Sequence, residues 1–369
     1  LVSKKRDIFR ESPILLGISM PDLRNTVRTI LQQLYPFDIV EARGGDKVLK
    51  ILRSEERAKN FFVIMDWEML GVPGIDVARE IRGDKRMENL PIILMTSQID
   101  QHHAGLAAEV GVNGCILKPF EAGSLLDKLI GIVSARANPP EHVKLIKKGE
   151  SLANRGQFNK AMELFRESQK IRNSARILVH IGEVFEKVKK FVKAHDSYDE
   201  AVEVNPQYLK AYTTVSGLLL KLKKESSALP YLEKAVMISP YNPDRQTLLG
   251  SVYLHTGDEP NAEKAFEEAV RQDSEKAREV GERYLKAGKT KKAEGYFRDY
   301  LEQGRDYLLP DSQIHVYNRL GIALRRQGEW ENAVLEYRRA LEIDRHDAAL
   351  HFNMGKAFIE GGKAYEARG

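Results

Sequence analysis

The chain has 369 residues, of which 42% are hydrophobic and 30% charged, with a net charge of +5. This is enough apolar material for two or more buried cores and excludes a disordered chain, while the small charge, with no basic block, argues against a nucleic-acid partner. The longest apolar runs, Pro91–Thr96 and Phe61–Met65, fall far short of the roughly 20 residues a membrane span needs, no signal-peptide order is present, and a single cysteine, Cys115, excludes a disulfide framework. A cytoplasmic protein without a membrane partner is expected. Position 1 is Leu and Gly369 falls inside a repeat, so the sequence reads as cut at both ends.

From Ser12 to Ala135 short apolar strands alternate with amphipathic stretches, the pattern of a parallel sheet covered on both faces by helices. Strands are expected at Pro13–Ile18, Phe37–Ala42, Phe62–Asp66, Ile92–Thr96 and Gly114–Leu117. Helices are expected at Asp22–Leu34, Asp46–Arg57, Ile75–Arg82, His103–Glu109 and Ala122–Ala135. In such sheets ligands bind at the carboxyl ends of the strands. Three polar groups fall there: Asp66, Thr96 and Lys118. His102 and His103 lack the spacing of a metal or relay site and read as a solvated loop. Arg136–Glu141, with Pro139 and Pro140, reads as a short linker.

From residue 142 onward a period near 34 residues sets in. Gly182, Ala194, Tyr198 and Ala201 define one frame, which recurs at Gly250, Ala262, Phe266 and Ala269 and at Gly321, Ala333, Tyr337 and Ala340. Weaker frames centre on Gly149 with Ala161, Ser216 with Ala228, Gly281 with Ala293 and Phe297, and a truncated one on Gly355. The small residues let two antiparallel helices approach, and the aromatic residue four after the alanine fills space between units. The fifth unit is irregular, with an expected insertion at Gln303–Ser312. Ala287–Thr290, reading AGKT, lacks the first glycine of a phosphate-binding loop, since Arg283 stands there, and reads as a turn. The basic runs Lys187–Lys193 and Lys221–Lys224 read as exposed helix faces.

The segment Phe62–Arg82, FVIMDWEMLGVPGIDVAREIR, with Thr96 in PIILMTS and Lys118 in ILKPF, resembles the receiver domains of bacterial two-component response regulators over roughly 120 residues. The second half resembles the tetratricopeptide repeat, in about seven units. The resemblance implies an α/β flavodoxin-like receiver with a five-stranded parallel sheet (residues 12–135), a linker (136–141) and an all-α repeat solenoid (142–369). It implies a phosphoacceptor at Asp66, supported by Thr96 and Lys118, with Gly74 ending the loop after the third strand. Asp66 would attack phosphorus as a carboxylate nucleophile, with Lys118 as a neutralising charge and Thr96 as a hydrogen-bond donor.

The family also holds a magnesium ion through an acidic pair after the first strand. Aligned on Arg24, those positions are Ile18 and Ser19, which offer no carboxylate. If about 4 kcal/mol of metal stabilisation is lost, transfer slows roughly 10³-fold. Glu68 and Asp22 are the candidate compensating carboxylates. Cys115 stands where the family commonly has an aromatic switch residue. The implied output is protein–protein binding by the repeats, with no enzymatic reaction and with a histidine kinase, another regulator or an effector as partner. The alternative is a phosphorylation-independent pseudo-receiver that docks such a partner. Lys210, Asn318, Arg325 and Lys356 lie on first helices of repeats but do not complete the family's carboxylate clamp, and they read as a solvated face.

Overall fold

The computed structural model describes residues 13–34, 36–54, 60–98, 103, 106–107, 110–303 and 308–363. Its sheet has five parallel strands in the order β2-β1-β3-β4-β5. They are β1 (Ile14–Gly17), β2 (Ile39–Ala42), β3 (Phe62–Asp66), β4 (Ile92–Thr96) and β5 (Gly114–Leu117). The expected first and second strands are shorter at their ends, and the other three match. Successive side chains point to opposite faces, so each strand feeds two cores. Ile14, Leu16, Phe62, Ile64, Ile93 and Met95 pack under α1 (Pro21–Leu34) and α4 (Ala122–Ala137). Leu15, Val63, Met65, Ile92 and Leu94 pack under α2 (Gly45–Ser54) and α3 (Gly74–Gly83). Of the expected helix at His103–Glu109, four residues lie outside the described ones, and so do 55–57 of the expected Asp46–Arg57.

Helix pairs follow after Asn138–Pro140: α5 (Glu141–Asn154) with α6 (Phe158–Ile171), α7 (Ala175–Lys187) with α8 (Phe191–Val204), and α9 (Leu209–Lys221) with α10 (Glu225–Ile238). The sheet domain and these three pairs form one compact unit that ends at Tyr241, whose ring packs against the α2–α3 side of the sheet domain's core. The second unit begins at Asn242. It holds α11 (Pro243–Thr256) with α12 (Glu259–Gln272), α13 (Lys276–Lys286) with α14 (Thr290–Gln303), α15 (Pro310–Arg326) with α16 (Trp330–Ile343), and α17 (Ala348–Glu360). Residues 304–307 of the expected insertion lie outside the described ones. Among the described residues, no helix is long and apolar enough to cross a membrane.

The repeat frame has a steric cause. A Cβ on Gly182, Gly250, Gly281 or Gly321 would stand 2.4–2.6 Å from the ring of Tyr198, Phe266, Phe297 or Tyr337, so the glycine of the first helix makes room for the aromatic residue of its own partner helix. The ring then reaches the next pair, as Phe266 does against Tyr284 at 5.0 Å. The third pair departs: Ser216 replaces the glycine and Leu232 the ring, both buried. The basic runs are a correction to the sequence reading. Lys189 and Lys223 sit in the turns inside their pairs with φ of 59° and 57°, where Gly288 (φ 76°) in AGKT makes the same left-handed turn without a side chain.

Candidate functional site

Asp66 ends β3 and is buried, with 2% of its side chain exposed. Lys118, just past β5, donates from Nζ to Asp66 Oδ1 at 3.0 Å. These residues are 52 apart in sequence, and the parallel register β3–β4–β5 brings them to one end of the sheet. Burial raises the pKa of Asp66, the hydrogen bond and charge of Lys118 oppose that rise, and Glu68 adds to it. Lys118 therefore favours the ionised carboxylate that attack on phosphorus requires. Thr96 ends the neighbouring strand, but its hydroxyl is engaged: Oγ1 donates to Gln98 O at 2.9 Å and accepts from Gln98 N at 3.3 Å. It must leave that turn before it can donate to a phosphoryl oxygen. Half-buried Cys115 lies on β5 with its thiol pKa raised by burial, opposite Leu94.

The residues present do not fit a magnesium ion held by an acidic pair. Ile18 is fully buried in the α1–α4 core. Ser19 Oγ already accepts from Leu70 N at 3.0 Å. Arg24 did more than mark the register: its Nη1 donates to Ile18 O at 2.7 Å and its Nε to Glu41 Oε2 at 3.0 Å, which places a buried guanidinium beside the two positions. A fixed cation and an apolar side chain are the wrong donor set for a hard divalent ion. Of the compensating candidates, Glu68 is exposed and close enough to Asp66 to raise its pKa. Asp22 is exposed on the first turn of α1.

Helix α3 connects the acceptor to the repeats. Gly74 opens it, and a Cβ there would lie 2.0 Å from Asp66 O, so only glycine lets the helix start this close to the acceptor's backbone. Gly74 N donates to Trp67 O at 2.8 Å. On the same helix Glu80 Oε1 accepts from Ser239 Oγ at 2.6 Å, and Gly83 packs against Leu209 at the start of α9. In the turn that follows, Glu88 Oε2 accepts from Lys210 Nζ at 2.6 Å and Asn89 Oδ1 from Arg176 Nη2 at 2.9 Å. Lys210, expected on a solvated face, is thus buried, because Gly83 and Glu88 of the sheet domain cover the start of α9.

The repeat side of this contact is a charge network. His180, 3% exposed, places Nδ1 3.0 Å from Glu183 Oε2 and Nε2 2.9 Å from Glu150 Oε1. Arg176 Nη2 also donates to Glu150, and Lys210 lies 3.7 Å from Glu183. Ligand atoms of Glu88, Glu150 and His180 fall within 4.8 Å of one another. Lys210 and Arg176 already hold the two carboxylates, so ion pairing accounts for the grouping. Burial works against the His180 proton, but Glu150 and Glu183 outweigh it and raise the pKa. Burial would likewise raise both carboxylates, yet His180, with Arg176 or Lys210, holds each at about 2.

The signs of these shifts fix a pH window. The contribution of His180 is complete below its ordinary 6.5 and is lost as pH rises through the raised value. Glu150 and Glu183 contribute fully above their ordinary 4.5 and lose this as pH falls toward 2. Thermal unfolding of the first unit should therefore show its highest melting temperature between pH 4.5 and 6.5, and His180→Gln should flatten the fall on the alkaline side. An unchanged alkaline limb in that variant would remove His180 from the account.

Residues 19–130 match the response regulator receiver domain, residues 244–276 the tetratricopeptide repeat and residues 321–362 the TPR repeat. The chain is 34% identical over 117 residues to chemotaxis protein CheY of Pseudomonas aeruginosa, covering 31% of this chain and 91% of that protein. It is 34% identical over 116 residues to chemotaxis protein CheY-3 of Vibrio cholerae serotype O1, covering 31% and 87%. A solved structure of MamA protein is similar at 19% identity over 47% of this chain and 93% of that one, with a TM-score of 0.39. The chain belongs to the response regulator receiver family, its flavodoxin-like receiver domain followed by a tetratricopeptide-repeat solenoid.

Proposed function

We propose that this chain is a phosphorelay response regulator whose receiver, with impaired magnesium binding, governs protein binding by the repeats on which it is docked. The observation that carries this reading is the path from Asp66 through α3 to Lys210 and Leu209: a shift at the acceptor moves the helix that the repeats grip. Phosphorylation would add charge beside Lys118 and draw it off the carboxylate, a local event with a packed element to transmit it. The protein catalyses no metabolic reaction, and its partners are proteins: a histidine kinase, another regulator or an effector. A second reading, a pseudo-receiver that docks its partner without phosphate, is favoured by Ile18 and by the Arg24 guanidinium beside it.

Trp67, buried next to Asp66, reports on the choice. In the full chain carrying Trp330→Phe, its fluorescence should change saturably with beryllofluoride at millimolar magnesium, and Asp66→Asn should abolish the change. No change up to about 10 mM magnesium, roughly a hundredfold excess over a weak 10⁻⁴ M site, would establish the pseudo-receiver instead.

A further inference from the structure

The basic runs Lys187–Lys193 and Lys221–Lys224 lie at the turns inside the second and third pairs, and their seven lysines are all exposed. Lys221 joins the two turns: its Nζ donates to Glu186 Oε1 at 3.0 Å and lies 5.9 Å from the centre of the Phe191 ring. Among the described residues, the other six lysines pair with no carboxylate. Beside Glu186, the acidic residues next to the two runs are Glu225 and Asp196. The edge therefore keeps an excess of positive charge that no ion pair takes up.

The same two turns hold lysine where the fold favours glycine. The corresponding residues of the first, fourth, fifth and sixth pairs are Gly156, Gly257, Gly288 and Gly328, with φ of 74–87°, whereas Lys189 and Lys223 adopt 59° and 57°. A side chain in that region strains the backbone. Neither ammonium has a carboxylate partner to offset the strain, which points to a use outside the fold.

Apolar side chains stand among these charges. Val192 is 76% exposed and Val188 37%, both inside the first run. Free ammonium groups around exposed apolar groups match the boundary of an anionic bilayer, where headgroup phosphates meet the charge and the acyl boundary takes the valines. A nucleic acid would leave both valines in water. The rings on which its bases could stack, Phe185 and Phe191, are half-buried and lie under the ammonium groups of Lys193 and Lys221. Recognition of a carboxylate peptide favours the forked donors of arginine, and neither run contains one.

We propose that this edge docks the protein on an anionic membrane surface. A peripheral contact needs no spanning segment, the ground on which the sequence argues against a membrane partner. The receiver's hydrogen bonds to Arg176 and Lys210 are at the first turns of α7 and α9, and the lysines are at the last turns and beyond. Membrane contact and receiver docking thus use different ends of the same helices, and the inference is independent of Asp66.

The test mixes the full chain with vesicles of phosphatidylcholine, alone or in equal parts with phosphatidylglycerol, and follows co-sedimentation. Binding should be confined to the anionic vesicles and should vanish at about 1 M salt, where the Debye length falls to about 3 Å. Lys189→Gly with Lys223→Gly keeps the left-handed turns, as Gly156 does, and removes two charges. At about fivefold per lysine it should weaken binding at least about tenfold, with no fall in melting temperature. Val192→Ser should weaken binding about fourfold, the worth of one buried methylene group. Equal binding to the two kinds of vesicle, no binding to either, or binding untouched by the lysine or the valine changes would overturn the site. A fluorescein-labelled DNA duplex that binds while the anionic vesicles do not would overturn it too, and would assign the edge to nucleic acid.

Discussion

Lys210→Met should lower the unfolding free energy of the first unit by about 3–5 kcal/mol, the cost of leaving a buried charge without its partner. Glu88 would be the orphan. It is nearly as buried as Lys210 and pairs with that lysine at 2.6 Å. Glu183, the other carboxylate near Lys210, keeps His180 and is therefore less affected. The double variant Lys210→Met with Glu88→Leu should recover most of the loss, because apolar replacement of a whole buried pair is often neutral or stabilising. The two positions are 122 residues apart in sequence, so the coupling measures how tightly the receiver and repeats are joined. Urea unfolding read by Trp67 in a Trp330→Phe background gives both numbers. A single-variant cost below about 1 kcal/mol, the value of an exposed pair, would mean that the two modules separate in solution and that α3 transmits nothing.

The sheet and the repeat pairs were legible because each rests on short-range pattern. Short continuous apolar runs between amphipathic stretches mark β1, β3, β4 and β5, and the spacing from glycine to alanine to aromatic residue marks the pairs. Asp66, Thr96 and Lys118 were legible for a related reason: in a parallel sheet each strand delivers its last residue to one end, so strand order alone assembles the site. The interface between receiver and repeats was not legible. Glu80 meets Ser239 and Glu88 meets Lys210 across 159 and 122 residues, and neither carboxylate differs in type from the many solvated ones. Arg24 served in the sequence only to fix the alignment, since its partners are the carbonyls of Ile18 and Ser19 and the Glu41 carboxylate on the next strand, which no sequence pattern singles out. The one available hint was the short linker, which forces the modules together without saying which faces meet. Lys189 and Lys223 were misread because a left-handed turn is marked by glycine, and here lysine holds it.

The third repeat shows that the steric rule of the other pairs has a second solution, and transplanting it should show the coupling directly. Gly281→Ser alone puts a Cβ 2.6 Å from Cε1 of Phe297, a ring with no exposed surface, and such overpacking costs about 1–3 kcal/mol. Replacing a helical glycine returns at most about 1 kcal/mol of backbone entropy, so the clash decides the sign. Phe297→Leu alone should cost a similar amount, about 1–3 kcal/mol, through the space the ring leaves. Together they recreate the arrangement of Ser216 with Leu232, in which the serine hydroxyl donates to Thr213 O at 3.1 Å and the leucine yields the volume the serine takes. The double variant should therefore cost less than the sum of the singles by about 0.5–3 kcal/mol, the range for residues in direct contact. Urea unfolding read by Trp330 in a Trp67→Phe background measures the cycle. Strict additivity would show that ring and glycine do not share the space, and that the recurring frame has another cause.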